Sequence, residues 1–108
     1  MAQNFRRFTS NGVGTSAATI FTANSYDTVV GISLANVNAN AITVHCYIND
    51  GSNDISLVKD VSIPAGSALQ VLDGGAKFVV QSGDALKVVS DTASSVDVWV
   101  SVVDAIST

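Results

Sequence analysis

The stretch "SVDVWVSVVDA", Ser95 to Ala105, alternates apolar and polar residues with a period of two. A helix would scatter those valines around its axis, whereas a strand puts Val96, Val98, Val100 and Val102 on one face. Asp97, Trp99, Ser101 and Val103 then point the other way. The pattern recurs. In "AITVHCYIN", Ile42, Val44, Cys46 and Ile48 share one face, and Thr43, His45 and Tyr47 share the other. In "DISLVKDVSIP", Ile55, Leu57, Val61 and Ile63 fall in one phase, with Lys59 interrupting it. Each segment reads as a strand with one side in a core.

Further strands are expected in "AATIFT", "DTVVGISLANV", "ALQVL", "KFVV" and "ALKVVS". Turn-forming clusters separate them: "ANSYD", "NANA", "NDGSND", "PAGS", "DGGA", "QSGD" and "DTASS". Strong helix formers are scarce, while Val, Ile and Thr are plentiful. The expected fold is therefore all-β, a single β-sandwich or jelly roll of about eight short antiparallel strands. Alternation alone does not fix the strand order. Pro64 ends a strand, where a ladder tolerates the missing N–H. Residues 1–16 are polar, bear glycine and do not alternate, so they read as an extended N-terminal arm. The sandwich then occupies residues 17–108.

Composition narrows the function. The 108 residues suit one domain, and no apolar run reaches the ~18–20 residues of a membrane-spanning helix. The N-terminus lacks the basic-then-apolar pattern of a secretory signal. Charged residues make up 13%, against about 25% in an ordinary soluble protein, and every acid is Asp. A surface of Ser and Thr in place of charge suits close packing among many copies. The net charge of −4 opposes binding to nucleic acid. A single cysteine, Cys46, allows no internal disulfide.

Signs of catalysis are weak. The only histidine, His45, adjoins the only cysteine, and neighbouring strand residues face opposite ways. No nucleophile motif accompanies them. Asp50, Asp54, Asp73 and Asp84 fall in turn segments, where Asp bonds to its own backbone. "NDGSND" clusters oxygen donors but lacks the helical flanks and terminal Glu of a calcium loop, so a plain hairpin turn is expected. "NGVG" follows no strand and precedes no Lys-Ser/Thr, so it is no phosphate loop. No catalytic, cofactor or metal residue is expected, and the chain reads as a non-enzyme.

Recognition residues are the remaining candidates. Phe5, Arg6, Arg7 and Phe8 form an aromatic–basic cluster in the arm of a charge-poor chain. There the rings suit pockets on a neighbour, and the guanidinium groups suit acidic or carbonyl-rich surface. His45, Tyr47 and Trp99 stand on outward strand faces, where aromatics commonly mark an interface. Burial of these three beneath the chain's own arm or loops, or an inverted strand phase, is the alternative.

From Val61 to Asp104 the chain resembles small β-sandwich structural proteins of tailed bacteriophages, of the head-decoration or tail and neck accessory type. The resemblance rests on Ile63-Pro64-Ala65-Gly66-Ser67, Leu69 to Leu72, Gly74-Gly75, Gly83-Asp84 and Val96 to Val103. "GTSAATIFT" and "ISLAN" extend it over most of the chain after the arm. It implies no catalytic residue. It implies a virion component assembled in the host cytoplasm, forming homo-oligomers and docking on other virion proteins through arm and strand faces. The competing expectation is a carbohydrate-binding or host-recognition module of a fibre, using Tyr47, Trp99 and the "NDGSND" loop.

Overall fold

The computed structural model describes residues 4–23, 27–72 and 78–104. Nine strands account for most of them: β1 (Asn4–Val13), β2 (Ala18–Thr22), β3 (Asp27–Asn36), β4 (Ile42–Asn49), β5 (Asp54–Ile63), β6 (Ala68–Leu72), β7 (Phe78–Val80), β8 (Ala85–Ser90) and β9 (Val96–Asp104). The expected turns "ANSYD" and "DGGA" lie largely outside the described residues.

The strands pair antiparallel in two sheets. One runs β1-β9-β3-β6, with β7 also on β3; the other runs β2-β8-β4-β5. This strand order is that of a jelly roll, with β7 the addition to its eight strands. This settles the topology that alternation left open.

The core is built as the alternation predicts. Val96, Val98, Val100 and Val102 of β9 are buried, as are Ile42, Val44 and Cys46 of β4, together with Ile32, Leu34, Leu86 and Val88. The interruption at Lys59 has a definite cause. Val44 stands opposite Val61 but Cys46 opposite Val58, so β5 holds one residue more than its partner there. This is a β-bulge, and Asp60 within it takes the left-handed backbone conformation at φ 56. Val61 and Val58 both turn inward as a result, while Lys59 and Asp60 stay exposed.

Two sequence expectations need correction. Ile55, assigned to the core phase, is 52% exposed, because β5 is the edge of its sheet and Ile55 lies near its end. The arm expected over residues 1–16 is not separate from Asn4 onward. Asn4 to Ser10 pair residue by residue with β9, from Asp104 back to Val98, making β1 the ninth strand. Glycine hid it from the alternation. Gly12, at φ 66, takes the bulge where the register shifts between Ser10 and Val13. Gly14 lies so close to the Ala93–Ser94 backbone that an added Cβ would sit 3.1 Å from the Ser94 nitrogen.

Asn36 fixes the crossover from β3 to β4. Its buried amide donates to the carbonyls of Asn40 and Ile63, and its oxygen accepts from the Asn38 N–H. Asn36→Ala leaves the buried Ile63 carbonyl without that donor, at a cost of about 1–3 kcal/mol. A thermal melt should register the loss as a midpoint roughly 4–8 °C lower per kcal/mol.

Candidate functional site

The seven residues singled out by sequence divide among three places. Phe8 faces inward from β1 and stacks on Phe21, with ring centroids 4.7 Å apart. It packs against the core and so is no anchor for a neighbour. Arg6 shares its side of the strand, with its guanidinium 5.1 Å from the Phe8 ring. The backbone of Phe5 stands opposite Val103, and its side chain lies outside the described residues.

His45 and Tyr47 lie on the outer face of β4, their rings 4.5 Å apart. Tyr47 is only 9% exposed, so it offers little free ring. His45 Nε2 lies 2.8 Å from Ser56 Oγ on the neighbouring edge strand. This is the distance of a base and a nucleophile. Among the described residues, however, no carboxylate bonds the other ring nitrogen, and the pair sits on an open strand face. The nearby Asp91 is a turn carboxylate. The Thr43 N–H, and after it the Thr92 hydroxyl, hold it below the usual carboxylate range.

The "NDGSND" loop behaves as a hairpin turn. Asp50 accepts from the N–H groups of Ser52 and Asn53, which hold its carboxyl low, and Asn49 caps Gly51 and Asp54. Among the described residues no group of His, Cys or acidic side chains is arranged to hold a metal ion. No helix among them is long and apolar enough to cross a membrane.

Trp99 occupies the outer face of the other sheet, 52% exposed. Tyr47 and the "NDGSND" loop belong to the β4–β5 sheet, so the constellation expected for sugar binding does not come together. Trp99 has other company. Its cross-strand neighbours are Thr9 on β1 and Ser33 on β3, and the next pair toward one end are Asp97 and Ala35. The Arg7 guanidinium lies 5.4 Å from the indole centroid, toward the other end. Thr9, Asn11, Ser33, Ala35, Asp97 and Trp99 line a shallow groove of about 360 Å³. Asp97 Oδ1 accepts from Asn11 Nδ2 and Gly12 N, both at 2.9 Å, and Gln70 Nε2 donates to Ser33 Oγ at 3.1 Å. Sequence reasoning missed Thr9, Asn11, Ser33 and Asp97, since only strand order places them beside Trp99.

A third feature is the open flank between β5 and β6. On the opposite flank the Phe8–Phe21 stack closes the sandwich between β1 and β2. At β5 and β6 the aliphatic chains of Leu57, Val58, Leu69 and Val71 pack on the core yet are only partly buried, with the exposed Ile55 beyond them. No aromatic lid covers them among the described residues.

No family model matches the chain, and no curated protein matches its sequence. Solved structures do resemble it. A protein of Bacillus endospore appendages, described as a novel family of disulfide-linked pili, aligns over 98% of this chain and 88% of its own. The identity is 15% and the TM-score 0.55. Two structures of a pentameric capsid protein isolated from metagenomic phage sequences align over 94% of this chain at 19% identity, with TM-scores of 0.48 and 0.47. The chain spans 62% and 60% of those capsid chains. At such identities the likeness concerns the fold alone.

Proposed function

We propose that this chain is a non-enzymatic structural subunit of a tailed-phage particle, packing against copies of itself and docking on other virion proteins. The open β5–β6 flank carries this reading. Partly buried aliphatic side chains along an unpaired strand edge are a liability in a monomer and an interface in an assembly. A second copy is the occupant the charges favour. The β1 edge bears Arg6, whereas the β5 edge bears Asp54 and Asp60 with only Lys59 against them. Unlike edges attract, so contact runs head to tail, which closes into a ring or continues as a filament. By analogy of fold alone, the appendages above are described as forming disulfide-linked pili. Arg7 and Trp99 stay on the outward face, and the particle is assembled in the host cytoplasm.

The association is non-covalent. Cys46 is fully buried, and burial pushes its thiol up to about 12, so little thiolate exists near neutrality. Sedimentation with and without reductant tests both points. A discrete species heavier than the 11.1 kDa chain is expected, unchanged by reductant, with Cys46 reacting with thiol reagents only after unfolding. A monomer at every concentration would overturn the proposal, and dissociation by reductant would overturn its non-covalent basis.

A further inference from the structure

We infer that the groove beside Trp99 is a binding site for a neutral oligosaccharide, presented on the outer face of the β1-β9-β3-β6 sheet. Among the described residues the indole stands on a face of mostly small side chains, with the Arg7 guanidinium 5.4 Å from its centroid. Thr9 and Ser33 flank it across the strands, with Gly31 and Ser101 paired at one end and Ala35 opposite Asp97 at the other. The ring is 52% exposed and borders the groove on the side that Arg7 does not occupy, where a flat partner can lie against it. The C–H face of a pyranose is such a partner, being apolar, rigid and about the width of an indole.

The surrounding polar groups suit the rim of a sugar. Asp97 is held through Oδ1 by Asn11 and Gly12, so its carboxylate is already oriented before any ligand arrives. Ser33 is likewise fixed by Gln70. Carboxylate, amide and hydroxyl groups held in place by their own frame exchange hydrogen bonds with vicinal hydroxyls at little ordering cost. Charge excludes the neighbouring ligand classes. Asp97 within the groove repels phosphate and sulfate, and Arg7 at the other end of the indole leaves the patch without net charge. A protein partner would need a broader apolar centre than one ring, and that lies on the β5–β6 flank instead.

Trp99 is the only tryptophan, so native fluorescence reports on this groove alone. The native full-length chain is titrated with cellotriose and with chitotriose, with dextran sulfate as the anionic control. A saturable change in Trp99 emission with at least one neutral trisaccharide, and none with dextran sulfate, is expected. Trp99→Ala should weaken binding measured by ligand-observed NMR by roughly tenfold or more, the loss of one stacking contact. Ala35→Arg fills the hollow while keeping the ring, and should also abolish the response. Sedimentation of both variants should match that of the native chain, which separates this site from the self-association surface. The inference is overturned if neither trisaccharide is bound by native protein, if Trp99→Ala binds as native does, or if acrylamide cannot reach Trp99 in the native assembly.

Discussion

A chain lacking residues 1–13 is expected not to fold. The aromatic–basic segment at this end looks dispensable as a sequence, because it neither alternates nor carries a long apolar run. In the fold it is an integral strand. Its removal would expose the whole edge of β9, whose inward valines form the centre of the core. It would also delete Val13, which is 4% exposed, and strip Phe21 of its Phe8 partner. Burying a side chain of this size contributes about 1.5–3 kcal/mol. Two such losses, with the vanished ladder, consume much of the ~5–15 kcal/mol that holds a domain together. Circular dichroism of the truncated chain should show lost strand signal at 25 °C. Retention of a cooperative melt near the native midpoint would mean that β1 is peripheral after all.

The substitution Ile55→Lys should have the opposite character, leaving the fold intact and abolishing association. Ile55 is half exposed at the end of an edge strand, so a lysine there can keep its charge in water within the monomer. In the proposed assembly the same position abuts a neighbour, and the lysine must be desolvated. Losing about 1.5–3 kcal/mol of apolar burial weakens each contact by roughly ten- to a hundred-fold, before the charge is counted. Every contact in a ring or filament carries the change, so the loss multiplies. The melt of the monomeric variant should be cooperative. An unfolded variant would instead mark Ile55 as part of the core.

The fold was legible in the sequence to the extent that one side of each strand is buried. Val96 to Val102 and Ile42 to Cys46 announce their faces through period two, and their burial follows. Legibility fails where the backbone departs from that period. The bulge at Lys59–Asp60 shifts the phase of β5 by one residue, and Gly12 does the same near the end of β1. A simple count of alternating positions cannot register an inserted residue. Strand order was also out of reach, because pairing partners separated by 86 residues, such as Asn11 and Asp97, leave no mark in local pattern. For that reason the exposed Trp99 could be named as a contact residue, but its true companions could not. Phe8 misled for a related reason: its place in a polar segment concealed the Phe21 ring waiting on the opposite sheet.

The central claim is that the β5–β6 flank is covered by another copy of the chain. Light scattering of the native chain and of Ile55→Lys, run side by side across a range of concentrations, tests it most directly. The expected result is a defined multiple of 11.1 kDa for the native chain and a folded monomer for the variant. Equal masses for the two, whether both oligomeric or both monomeric, would contradict it.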